Sequence, residues 1–213
     1  MYIHLLTSVL FLPSQVCRYA CFALGNLAIE SSTHEQLFEA GVPSALMPLA
    51  YNQDVELRRS VAFAVNNLAQ NPNNGPKCEH LGVLRPLVHL LRDEDQDVLQ
   101  QSLAAIRMLC ADAKCAMQFV DELQGLVPLL EVGQSVILEL QRDVAATLRN
   151  LSLGPARNAS AMVRAGVTDL LLTYSVSSDV ETAHQSLGVL ANIAETIENQ
   201  APIVATGALQ RLK

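Results

Sequence analysis

The chain has 213 residues, half of them hydrophobic and 16% charged, with a formal net charge of −7. That composition fits a folded chain with a sizeable core and excludes disordered, collagenous and low-complexity classes. With 4% aromatics and no tryptophan it disfavours an aromatic-rich β-sandwich, and its acidic balance argues against a general nucleic-acid binder.

The chain opens on its most apolar stretch, Met1 to Leu12, broken by His4, Thr7 and Ser8. It falls short of the ~18 residues a bilayer span needs, so no membrane span is expected. It imitates a signal peptide, but it has no leading Lys or Arg and runs into a helical pattern, which disfavours secretion. Cys17, Cys21, Cys78, Cys110 and Cys115 are odd in number and form no CxxC pair. They read as free thiols in a reducing compartment.

Compared with itself, the chain repeats. Gly41, Gly82, Gly166 and Gly207 close short apolar segments at intervals of 41, 84 and 41, the middle one being two steps of 42. Asn26, Asn67, Asn150 and Asn192 keep the same period, with Met108 where the fifth asparagine falls. Each unit reads as a short helix up to the glycine, a second helix such as Ser44 to Tyr51 or Leu84 to Arg92, a polar turn, and a longer third helix. Asp54, Asp95 and Asp179 end the turns and suit the N-cap. Asn71-Pro72-Asn73-Asn74-Gly75-Pro76 is a stronger breaker that separates units rather than domains. Residues 1–29 read as the end of one repeat, 33–70, 74–111, 115–153 and 157–195 as four repeats, and 199–213 as the opening of another. Both ends fall mid-repeat, as in a piece of a longer array.

Aligned on the asparagine column, the third helices show two faces. Positions five before, two before and one after the column are apolar in nearly every repeat, as in Ala62, Val65 and Leu68, and form the buried stripe. The column and the positions four and eight before it form a stripe roughly opposite, where a binding surface can lie. Three short helices cannot bury all their apolar faces alone, so the expected fold is an all-α, right-handed α-solenoid of stacked three-helix repeats.

A period near 42, a glycine after the first helix, and third-helix endings such as Ala23-Leu24-Gly25-Asn26-Leu27, Ala64-Val65-Asn66-Asn67-Leu68 and Leu148-Arg149-Asn150-Leu151 resemble the armadillo repeat. The resemblance covers essentially the whole chain. It implies a concave groove lined by third helices, in which Asn26, Asn67, Asn150 and Asn192 hold the backbone of an extended partner segment. A carboxamide suits that role because it offers both donor and acceptor. With helices ~8–10 Å apart, each repeat spans about three residues of extended chain. Helix bridging by the same amides is the alternative.

Nuclear-import adaptors of the family place Trp four residues before the asparagine. Here that position holds Phe22, Phe63, Ala104, Ala146 and Gly188, which speaks against import-signal binding and leaves Phe22 and Phe63 as an apolar shelf or as core. Eight before the column stand Arg18, Arg59, Gln100, Arg142 and His184. The arginines favour an acidic partner or pair with nearby acids, as Glu56–Arg59 and Glu139–Arg142 do at helical spacing. Arg107 and Arg149, one before the column, add basic character. The histidines fall at unrelated positions, no catalytic motif is present, and neither Cys17 with Cys21 nor Cys110 with Cys115 has further metal ligands. The reading is a non-enzymatic protein-interaction scaffold or adaptor of the cytoplasm or nucleus, without cofactor, metal or small-molecule substrate. A nuclear-import adaptor and the targeting region of a larger enzyme such as a ubiquitin ligase are the alternatives.

Overall fold

The computed structural model describes Ile3 and residues 14–211. The apolar opening segment, apart from Ile3, and the last two residues lie outside the described residues. Every regular element among those described is helical, and the chain falls into two compact units, Met1–Asp112 and Ala113–Lys213.

The first unit contains α1 (Ser14–Leu27), α2 (His34–Glu39), α3 (Val42–Leu46), α4 (Val55–Ala69), α5 (Gly75–His80), α6 (Leu84–Leu90) and α7 (Gln96–Leu109). Its long helices pack side by side, α1 on α4 and α4 on α7. The second unit contains α8 (Ala113–Met117), α9 (Leu126–Gly133), α10 (Leu138–Ser152), α11 (Ala156–Arg164), α12 (Val167–Tyr174), α13 (Val180–Ala194), α14 (Ile197–Ala205) and α15 (Ala208–Arg211), with α10 packed on α13.

The punctuation expected from sequence has physical causes visible here. Gly41, Gly82, Gly166 and Gly207 adopt φ of 70°, 67°, 84° and 77°. At Gly41, Gly82 and Gly166 an added Cβ would meet nothing within 4 Å, so left-handed backbone rather than crowding selects glycine. Asp54 accepts from the Glu56 N–H at 3.1 Å, Asp95 from Val98 at 3.1 Å and Asp179 from Thr182 at 2.9 Å, capping α4, α7 and α13. The proline-rich breaker becomes a 3-10 turn, Pro72–Asn74, capped by Asn71, and α5 starts at Gly75. Ser44 to Tyr51 is not one α-helix: after α3 the chain tightens into a 3-10 helix, Met47–Tyr51. Pro48 has no N–H to bond the Ser44 carbonyl.

The period survives where glycine does not. Gln124 occupies the left-handed position of its repeat with φ 50°, the one non-glycine among the described residues with positive φ. Ahead of it Gln118–Glu122 is wound as a π-helix, which accommodates one extra residue. The next residue, Gly125, lies under Phe119: a Cβ there would sit 2.5 Å from that ring, which is fully buried.

The apolar stripe forms the core. Leu24, Ala62, Val65, Leu68, Leu103, Ile106, Ala145, Leu148, Leu151 and Ile193 are all buried, each leucine contributing about 2 kcal/mol of burial. Leu27 and Leu187 depart from the expectation and are exposed at 36% and 45%. The five cysteines are buried and none is in a disulfide, and burial pushes the Cys78 thiol up to about 12.

Candidate functional site

The stripe opposite the core carries the expected site residues, taken here unit by unit. On α1, Asn26 is exposed and its carboxamide makes no hydrogen bond to the described residues. On α4, Asn67 is half-buried and its Nδ2 donates to the Gly25 carbonyl of α1 at 3.1 Å. In the second unit, Asn192 of α13 donates through Nδ2 to Ser152 Oγ of α10 at 2.8 Å, and Ser152 Oγ donates to the Arg149 carbonyl. Asn67 and Asn192 therefore bridge neighbouring third helices. That bond uses one N–H and fixes the amide's orientation, while the second N–H and the carbonyl oxygen keep their capacity. Asn150 is half-buried on α10.

Four residues before the column, Phe22 is 56% exposed. Phe63 leans over Gly25, where a Cβ would lie 2.8 Å from its ring. The two rings line a recess of about 270 Å³ with Ser60, Gln101, the Arg59 guanidinium and the carboxylates of Glu56 and Asp97.

The arginines eight before the column are engaged inside the chain. Arg18 Nε donates to Asp54 at 2.5 Å, Arg59 donates to Asp95 at 2.6 and 3.0 Å, and Arg142 to Asp179 at 2.7 and 3.3 Å. Each guanidinium thus grips the aspartate that caps the next long helix of its own unit, 36 or 37 residues on. Of the two i,i+3 pairs expected, Glu56–Arg59 forms at 2.9 Å, whereas Arg142 hydrogen-bonds Asp179 in place of Glu139. The hydrogen bond from Arg59 holds the Asp95 carboxyl below its ordinary range, and that from Arg142 holds Asp179 well below it. This column is a set of inter-repeat clamps, so its charges are largely spent within the chain. In sequence, the arginine column holds Gln100 in one repeat, and the aspartate cap column holds Ile137 in another.

Arg107 is half-buried on α7. Arg149 lies across Gly188 of α13: a Cβ on residue 188 would approach its Cζ to 2.9 Å. Its Nε is buried without a hydrogen-bond partner.

Sequence reasoning missed a second polar column, seven or eight residues after the first. Thr33 Oγ1 donates to the Leu27 carbonyl at 2.5 Å, Asn74 Nδ2 to Leu68 at 2.8 Å, Asn158 to Leu151 at 3.5 Å and Asn199 to Ile193 at 2.9 Å. These groups satisfy carbonyls left over at the ends of long helices. Asn74 Nδ2 also donates to His34 Nδ1 at 2.8 Å, and His34 Nε2 meets the Ala28 carbonyl at 2.8 Å. A carbonyl only accepts, so His34 carries its proton on Nε2, and both partners are buried with their bonds made. Asn74, Asn158 and Asn199 keep the repeat period, which was the signal available in the sequence.

Among the described residues no group of three His, Cys, Asp or Glu side chains is placed to hold a metal ion, and no helix is long and apolar enough to cross a membrane.

Residues 80–111 match the model of the armadillo/β-catenin-like repeat. Vacuolar protein 8 of Schizosaccharomyces pombe is 26% identical over 193 residues, covering 90% of this chain and 35% of that protein. Importin subunit alpha-2 of Arabidopsis thaliana is 26% identical over 192 residues, covering 87% of this chain and 36% of that one. The chain therefore spans about a third of the length of these relatives. Among solved structures, a designed armadillo repeat protein in complex with the peptide (KR)4 superposes with a TM-score of 0.89 at 23% identity, covering all of this chain and 90% of that one. The helical repeats and their glycine turns agree with these likenesses: residues 80–111 match an armadillo repeat, and the chain has the fold of an armadillo-repeat α-solenoid.

Proposed function

We propose that the chain is a non-enzymatic interaction scaffold whose third helices hold an extended segment of a partner protein, in the cytoplasm or nucleus. The observation that carries this reading is the state of the amides. Asn26 is exposed with its carboxamide uncommitted, while Asn67 and Asn192 are each fixed by one N–H and keep a donor and an acceptor. Amides held in one orientation and repeated along a helix face suit a main chain, which presents an N–H and a C=O at every residue. The solved neighbour bound to a peptide supports the choice of an extended partner. On this reading the repeats 33–70, 74–111, 115–153 and 157–195 form one array within a longer protein, and any enzymatic activity belongs to other segments.

An acidic preference draws its support from Arg149, since Arg18, Arg59 and Arg142 are gripped by Asp54, Asp95 and Asp179. The import-adaptor alternative has the Phe22–Phe63 recess in its favour, and against it the absence of Trp at this position and Arg59, which lines the recess and pairs with Glu56 and Asp97 at its edge.

The test is display selection of random peptides on the whole chain, followed by calorimetric titration of a selected peptide. Replacing Asn67 and Asn150 by Ala removes two backbone contacts and should weaken binding roughly tenfold to a hundredfold, with the helical spectrum retained. Unchanged affinity would overturn the reading.

A further inference from the structure

Resting on the peptide-track reading, we propose that Arg149, laid on Gly188, is a fixed receptor for one carboxylate side chain of the partner segment. Three observations lead there. Arg18, Arg58, Arg59 and Arg142 each grip an aspartate of the chain, at 2.5, 2.5, 2.6 and 2.7 Å, whereas Arg149 has no ion pair among the described residues. Its Nε is buried without a hydrogen-bond partner, while the residue as a whole stays half-exposed. Its guanidinium also rests on α13 through Nη1, which a Cβ on residue 188 would overlap, because residue 188 is a glycine at a position that holds Phe22, Phe63, Ala104 and Ala146 in the other repeats.

A cation in the last turn of α10 gains a little from the helix dipole, but that needs no fixed orientation and no glycine seat. A seated guanidinium loses little further freedom on binding, and with Nε covered and Nη1 resting on Gly188, Nη2 and the outward N–H of Nη1 are what it offers a carboxylate. Arg149 adjoins Asn150 in sequence, and Gly188 lies one helical turn before Asn192. The amides would hold main chain while the guanidinium reads one side chain, giving the second unit a sequence preference that amides alone cannot supply.

The test uses the whole chain and a peptide selected by it from a random library. Each Asp or Glu of that peptide is exchanged in turn for Asn or Gln, and affinities are measured by fluorescence anisotropy for wild type, Arg149→Gln and Gly188→Ala. The expected result is one acid whose exchange weakens binding to wild type about tenfold and leaves binding to Arg149→Gln unchanged. Gly188→Ala should behave like Arg149→Gln while keeping the charge, because its Cβ takes the seat; alanine favours helix, so the fold is retained. If every acid exchange has the same effect on wild type and Arg149→Gln, or the selected peptides contain no acid, the carboxylate receptor is wrong and the peptide track stands. If wild type selects no peptide, both fall.

Discussion

Gln124 occupies a backbone position that four glycines hold elsewhere, and replacing it tests the repeat logic directly. At φ 50° an L-residue brings Cβ against the following carbonyl, at a cost of about 1–2 kcal/mol that glycine avoids. The Gln124 side chain is exposed and makes no hydrogen bond among the described residues, so Gln124→Gly gives up little packing. Glycine also loosens the unfolded chain, offsetting about 0.4–1 kcal/mol. The net expectation is a gain of roughly 0.5–1 kcal/mol, or about 2–6 °C in Tm for a unit of this size. Gly166→Gln should mirror it with a loss of about 1 kcal/mol, since a Cβ there meets no neighbour and only the backbone term remains. Gln124→Ala should change little. Urea unfolding of the whole chain followed by circular dichroism, with the slope checked for constancy, measures all three. If Gln124→Gly lowers stability while Gly166→Gln costs nothing, the shared left-handed turn is not what keeps the period.

Three other perturbations address the remaining devices. Asn74→Ala strands the Leu68 carbonyl and His34 Nδ1, both inside the core, and should cost about 2–3 kcal/mol; Asn26→Ala should stay within about 0.5 kcal/mol of wild type in the same urea series. Gly125→Ala drives a Cβ into the Phe119 ring and should cost about 1–3 kcal/mol, partly recovered by Phe119→Leu; equal stabilities would show that the ring does not rest on this glycine. Asp95 and Asp179 have carboxyl groups held below their ordinary values by Arg59 and Arg142. Their contribution is fully present above the unfolded value of about 3.9 and is lost as pH falls through the lowered folded values. The urea midpoint should therefore hold steady from about pH 5 to 7 and fall below pH 4, with a shallower fall in Arg142→Gln.

The sequence made legible those devices that one residue performs on its own backbone. Left-handed turns need Gly41, Gly82, Gly166 and Gly207, and N-caps need Asp54, Asp95 and Asp179, so their spacing alone located the helices. Pairings that depend on how helices stack were less legible. Arg142 can pair with Glu139 by helical spacing, and only the packing of α10 on α13 brings Asp179 to it. The π-turn at Gln118–Glu122 left no distinct trace in the sequence, since the interval of 42 across it recurs in the next repeat, which has no π-turn, and Gln124 stands where the other repeats have glycine. Asn74, Asn158 and Asn199 keep the repeat period in sequence, where binding and capping amides look alike. Arg149 is distinguished from Arg142 only by what surrounds it.

The most direct test of the central claim is to locate a bound peptide on the chain. A peptide selected from a random library, carrying a benzophenone at successive positions, is photo-crosslinked to the whole protein and the adducts are mapped by mass spectrometry. The account predicts adducts on the third-helix stripe, at 18–26, 59–67, 142–150 or 184–192, moving along the helices as the label moves along the peptide. Adducts confined to the first helices, at 34–39, 75–80 or 156–164, would contradict it.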